Sequence, residues 1–255
     1  MNKVYPFTNE NVASFNTIYD FSNAEVLSVI GSGDQCFSSM LFGAKEIELY
    51  DCNDLAWDFF VLKWYGITIL NYEEFYDFFV AKTLNSQKYF QKIISYLPTD
   101  IANRLKQKYN RYKGLSYLLY TDIAELNYNN GRVIPYLERE KYYQLQSILR
   151  ESNLPKFYLT DLAKLPELVA NKSYDILLTS NIFNWMPMSA EPYGIKRYKE
   201  LLNRFKCFEI QALYCWSISE FLKPELEKNG FEIRYVQSAK KLRLTNDAVI
   251  SLRNK

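Results

Sequence analysis

The residues best placed to do chemistry in this chain are small residues and carboxylates that recur where apolar runs stop. Val26–Ile30 runs into Gly31-Ser32-Gly33-Asp34, and Glu46–Tyr50 into Asp51-Cys52-Asn53-Asp54. Later, Lys156–Leu159 stops at Thr160-Asp161-Leu162, and Tyr174–Thr179 at Ser180-Asn181. Glycine lets a turn take positive φ and lets a ligand approach with no Cβ in the way. A helix that follows such a turn offers free N–H groups to a polar or anionic moiety. Asp51 lies 20 positions after Gly31, near the spacing at which an acidic residue accepts both hydroxyls of a ribose. Asp161 or its backbone neighbour Leu162 suits an exocyclic amine, and Ser180 with Asn181 would lie beside a reacting group. Together these groups describe a nucleoside site.

The same residue types narrow the nucleoside. Gly31 and Gly33 begin a G-x-G-x-x-G, but Cys36 stands in the third place. The third glycine is the one that allows close helix packing under a pyrophosphate, so a dinucleotide is disfavoured. No Gly-Lys-Ser/Thr is present either. A phosphate-free nucleoside fits better, and S-adenosylmethionine is the common one. The competing structural account has the glycines making a tight turn and the Asp residues capping helices. The chain contains no His, so acid–base work falls to carboxylates, Tyr, Lys or the substrate. Cys36, Cys52, Cys207 and Cys215 form no CxxC pair; no metal site is expected, and reduced thiols suit a cytoplasmic protein. Cys36 reads as a small helix-packing residue, not a nucleophile.

The elements that must hold these tips alternate between strand and helix. After the first strand, Gln35–Phe42 reads as a helix stopped near Gly43. After the second, Asp54–Tyr65 carries Leu55, Phe59, Leu62 and Tyr65 along one apolar face. Downstream, Tyr198–Lys206 and Phe221–Asn229 read as helices, and Phe208–Tyr214, Phe231–Gln237 and Ala248–Leu252 as strands. Strands alternating with helices imply a Rossmann-like, doubly wound, mostly parallel sheet, in which ligands bind outside the carboxyl ends of the strands. Three stretches are expected: 1–71 and 156–255 as the two halves of an α/β domain, and 72–155 as a helical insertion or lid. Within Ala81–Lys156 there are 13 Lys and Arg against 6 Asp and Glu, so the rest of the chain is net acidic. That basic, aromatic block has three readings: a packed helical unit with a solvated face, a lid that excludes water, or a docking surface for nucleic acid or anionic lipid. Arg104–Gly114 is its most basic stretch. Lys240, Lys241 and Arg243 read as solvated, and Asn129-Asn130-Gly131 as a turn.

The run "VLSVIGSGDQCFSSMLFGAKEIELYDCNDLAWDFFVLKWYGITILNYEEFYDFF" resembles the start of the betaine-lipid-synthase-type aminocarboxypropyl transferases, which share the class I S-adenosylmethionine-dependent methyltransferase fold. The matching positions are Gly31, Ser32, Gly33 and Asp34; Asp51 and Asn53; Leu62-Lys63; and Glu74-Phe75 with Phe78-Phe79. "YDILLTSNIFNWM" resembles the family's fourth-strand motif through Asp175, Ser180, Asn181 and Trp185. Asp54 replaces the proline that follows Asn53 in the family's pattern, and the insertion does not align, so the resemblance bears on the cofactor more than on the acceptor. It implies that Gly31, Gly33 and Asp34 hold the methionine part of S-adenosylmethionine, Asp51 the ribose and Asp161 the adenine. Ser180 and Asn181 would face the transferring carbon, the acceptor, or both.

The expected activity is transfer of the 3-amino-3-carboxypropyl group with release of methylthioadenosine. Methyl transfer comes second, and a silent S-adenosylmethionine-binding module third. The expected acceptor is a small molecule or a lipid. A nucleic-acid base amine is the least favoured, because Asn181 and Asn184-Trp185 lack the two prolines of the amine-directed motif. The net charge of +2 selects no partner. No secretory signal is visible near the start, and no apolar run approaches the roughly 18 residues of a membrane span.

Overall fold

β1 (Glu25–Val29) is the strand around which the sheet is built. Its buried residues face both ways because β2 (Glu46–Asp51) and β4 (Tyr174–Leu178) flank it in parallel and helices cover both faces. β3 (Lys156–Leu159) adds to β2, and β5 (Cys207–Cys215) to β4, again in parallel. β7 (Asp247–Arg253) then runs antiparallel between β5 and β6 (Glu232–Val236). The order is β3-β2-β1-β4-β5-β7-β6, with the reversal between β1 and β4. The computed structural model describes residues 3–81, 84–120, 133–191, 193–219, 222–238 and 246–254.

The helices along the chain are α1 (Asp34–Leu41), α2 (Asp54–Ile69), α3 (Tyr72–Phe75), α4 (Gln87–Ile94), α5 (Thr99–Tyr112), α6 (Arg139–Glu151), α7 (Leu165–Leu168), α8 (Gly194–Leu202) and α9 (Leu222–Lys228). One expectation fails at α2. A single apolar stripe is expected there, yet Ala56, Phe60, Val61 and Trp64 are buried as well. The reason is that α4 and α6 pack on the side that the sequence pattern leaves to solvent. The helices of the 72–155 block share one hydrophobic cluster with α2 and with one face of β1 and β2. α8 begins four residues earlier than expected, after the Pro187–Ala190 turn, and ends at Leu202. The Asn129 turn, Phe221 and the Lys240 group lie outside the described residues.

Residues 3–17, featureless in the sequence pattern, form a strap across the carboxyl end of the sheet. Val4 N donates to Leu118 O and Tyr120 N to Val4 O, both at 3.0 Å. Asn11 N donates to the Tyr214 hydroxyl at 2.9 Å and Asn11 Nδ2 to Gln237 O at 2.9 Å. Trp216 Nε1 donates to Asn9 O at 3.2 Å. The strap is thereby tied to the segments that follow β5, β6 and α5.

Candidate functional site

Parallel register brings the tips of β1 to β4 to one rim. Val29 pairs with Tyr50, Asp51 with Leu159, and Ser28 with Leu178. Backbone bonds continue past the strand ends, Ile30 N to Tyr50 O and Thr160 N to Asp51 O, both at 2.9 Å. Over this rim lies a cavity of about 560 Å³, lined by Gly31 and Ser32, by Asp51, Cys52 and Asn53, by Asp161 and Leu162, and by Ser180 and Asn181. Tyr5 and Tyr120, stacked at 4.5 Å, close one side, and Trp185 with Met186 borders another.

Each tip is shaped by local chemistry. Gly31 has φ +51°, and a Cβ added to it would meet nothing within 4 Å, so the backbone presents an open surface. Asp51 is held by two backbone donors: Gly31 N reaches Oδ2 at 3.1 Å and Asn53 N reaches Oδ1 at 2.9 Å. Burial pushes its carboxyl above the ordinary range, and the N–H groups of Asn53, Gly31 and Cys52 oppose that push. Asn53 caps α2 through Leu55 N at 3.1 Å and ties down Lys3 O through Nδ2. Asp161 accepts from Lys164 N at 3.0 Å, a turn-capping bond that leaves its other oxygen at the half-exposed rim.

At the fourth tip Ser180 has φ +59°, in the left-handed region that costs an L-residue energy. Gln211 fixes it there: Ser180 N donates to Oε1 at 2.7 Å, and Nε2 donates to Ser180 O at 3.2 Å. The Asn181 carboxamide lines the cavity and shows no bond to the described residues. Tyr50 also lines it, and its buried hydroxyl has no partner among the described residues.

Two expected site residues lie elsewhere. Gly33, with φ +83°, faces Phe60: an added Cβ would stand 2.7 Å from Phe60 Cδ2. Its small size serves helix packing, not ligand approach. Asp34 is fully buried and does not line the cavity. It forms an ion pair with Lys63 Nζ at 2.9 Å and accepts from Ser32 Oγ, Thr8 N and the Tyr136 hydroxyl. Lys63 Nζ also donates to Pro6 O at 2.6 Å and Ser32 O at 2.7 Å. This buried pair therefore clamps the first tip, the strap, α2 and the segment before α6 together. Burial drives the Lys63 ammonium below its ordinary range, and Asp34 resists that drop.

Sequence reasoning missed Glu10. It is 1% exposed, takes a hydrogen bond from the Ser180 hydroxyl, and accepts from Gln35 Nε2 at 2.8 Å. Burial raises its carboxyl to about 7; the Ser180 and Gln35 bonds pull it down, and Asp247 adds to the rise. No spacing signal marks Glu10, because its neighbours come from distant segments. The basic stretch is also resolved locally: Arg104 is forked onto Asp58 of α2 and bonded to Asp100, so part of its charge is spent inside the fold.

No family model and no curated protein matches the chain. Solved structures of similar fold include magnesium protoporphyrin IX methyltransferase from Synechocystis, 13% identical, with 95% of this chain and 76% of that one covered and a TM-score of 0.41. Ribosomal protein L11 methylase from Lactobacillus delbrueckii subsp. bulgaricus is 10% identical over 98% and 81%, with a TM-score of 0.40. An rRNA methyltransferase from Streptomyces viridochromogenes is 10% identical over 95% and 82%, with a TM-score of 0.40. Substrate and reaction do not transfer at such identities. What the chain itself shows is a seven-stranded, mostly parallel Rossmann-like sheet with flanking helices and an antiparallel β7 between β5 and β6.

Proposed function

We propose that the chain is an S-adenosylmethionine-dependent transferase and that the group moved is 3-amino-3-carboxypropyl. One observation carries the cofactor: the tips of four parallel strands, with an open glycine and a backbone-oriented carboxylate, line a single cavity. Its volume falls in the range of small-molecule sites, roughly 300–1,000 Å³. Asp51 would take the ribose hydroxyls, since its oxygens are already aimed by Gly31 N and Asn53 N. Gly31 and Ser32 would border the methionine part, and Asp161 with Leu162 the adenine. Ser180 and Asn181 would sit beside the transferring carbon. S-adenosylmethionine supplies a sulfonium whose attached carbons are electrophilic, so the protein's task is orientation and water exclusion.

The choice of aminocarboxypropyl rests on the resemblance in the 26–79 stretch. Methyl transfer is the second reading, favoured by the free Asn181 carboxamide, which can accept an N–H from an amine acceptor. The acceptor itself is a small molecule or a lipid headgroup that enters past Tyr120 and Trp185, both exposed at the rim. Incubating the protein with S-adenosylmethionine and cell extract, then identifying the nucleoside product by mass, tests these readings. Methylthioadenosine is expected; S-adenosylhomocysteine would transfer the assignment to methylation, and binding without turnover would leave a silent module.

A further inference from the structure

Glu10 has no role in the reading above, yet it is a buried carboxylate with no cation bonded to it among the described residues. Ser180 and Gln35 both line the cavity, and both spend a donor on its carboxylate. The left-handed twist at Ser180, clamped by Gln211, fixes the backbone from which that hydroxyl reaches the strap. The groups facing Glu10 are Asp247 of β7, Tyr214 and Cys215 of β5, Thr8 of the strap, Gln35 of α1 and Ser180. None of these is cationic, and Tyr214 gives its own proton to Asp247. A buried carboxylate in such company is costly as an anion, and a positive charge arriving beside it favours ionisation.

We propose that Glu10 is the cavity's counter-charge for a sulfonium: coupled through Ser180 Oγ, it ionises when the cationic ligand enters and regains its proton when a neutral thioether replaces it. This rests on the S-adenosylmethionine reading and deepens it, because it assigns the residue that separates the cationic nucleoside from its neutral thioether counterpart. S-adenosylmethionine and S-adenosylhomocysteine carry the same adenosine, amino and carboxylate groups and differ in charge only at sulfur. The sulfonium also makes the neighbouring ammonium of its own ligand more acidic, so the diagnostic part of any difference in pH response is the part that Glu10→Gln abolishes. The direction follows from linkage. The free cavity holds Glu10 protonated up to about pH 7, the bound cation favours the anion, and so binding releases a proton below that pH. Affinity for the cation rises with pH and levels off above 7, whereas affinity for the neutral thioether does not.

The test is isothermal titration of the full chain with each nucleoside at pH 6, 7 and 8, in buffers of different ionisation enthalpy. S-adenosylmethionine should bind on the order of tenfold tighter at pH 8 than at pH 6, releasing a proton at the low end. S-adenosylhomocysteine should show a flat profile and no release. Glu10→Gln should flatten the S-adenosylmethionine profile and leave S-adenosylhomocysteine affinity unchanged. Equal pH slopes for the two nucleosides, or a Glu10→Gln protein that keeps the wild-type slope, would overturn the proposal while leaving the nucleoside site intact. Failure of both nucleosides to bind folded wild-type protein would overturn the site assignment itself, and Glu10's role with it. Between pH 6 and 7, where both ligands keep their ammonium groups largely protonated, the comparison on wild-type protein needs no variant, so it survives a Glu10→Gln chain that fails to fold.

Discussion

Replacing Lys63 by Met removes the only cation that bonds Asp34 among the described residues and keeps most of the side-chain volume. Asp34 would then remain fully buried with only neutral donors: Ser32 Oγ, Thr8 N and the Tyr136 hydroxyl. Breaking a buried pair from one side costs about 3–5 kcal/mol, because an uncompensated charge is left behind. The carbonyls of Pro6 and Ser32 also lose their donor. The expected loss at pH 8 is therefore about 4 kcal/mol, or roughly 8–16 °C in Tm for a chain of this size. Urea denaturation measures the loss, and Asp34→Asn added to Lys63→Met should restore part of it. A deficit under about 1 kcal/mol would show that the pair is not the clamp described.

Three further outcomes are expected. Asp51→Ala should weaken S-adenosylmethionine binding by about 1–3 kcal/mol in a calorimetric titration, because the ribose hydroxyls lose their acceptor; unchanged affinity would remove Asp51 from the site. Gly33→Ala should lower thermal stability by about 1–3 kcal/mol, from a positive-φ penalty plus the overlap with Phe60, and a neutral result would reject the packing role. Glu10, whose folded-state carboxyl is raised from 4.5 to about 7, contributes stability present at low pH and lost as pH climbs through that window. The ligand-free protein should thus fall behind Glu10→Gln by at most about 3 kcal/mol between pH 5 and pH 8 in denaturation experiments.

The strands were legible because parallel strands buried on both faces read as continuous apolar runs: Val26–Val29 and Ile176–Leu178 carry that signal unaided. Strand tips were legible for the same reason, since the polar residue that ends each run marks the rim. What local pattern cannot encode is which polar residue turns inward. Asp34 comes five residues after β1 and Asp51 ends β2, yet Asp34 sits at the start of α1, where Lys63 of α2 reaches it, while Asp51 is still on the strand and faces the opening. Their difference is set by a partner 29 residues away. Likewise α2 looked one-sided because its second apolar face is covered by α4 and α6, which arrive from the later block.

The strap shows why function in this fold extends beyond the strand tips. Residues 3–17 bury Phe7, Val12 and Phe15, the last two on a short 3-10 turn over Val12–Thr17, and tertiary contacts hold the segment over the cavity. Lys63 holds the strap at Pro6, Asn53 at Lys3, Tyr214 and Gln237 at Asn11. Those anchors belong to α2, to the second tip, to β5 and to the segment after β6, so the strap settles only once both halves of the sheet are in place. Asn53 and Ser180 line the cavity and bond the strap at the same time, at Lys3 and Glu10 respectively. A ligand that bonds either group therefore acts on a side chain that also holds the strap, and the strap's stability and the site's affinity are linked through those two side chains.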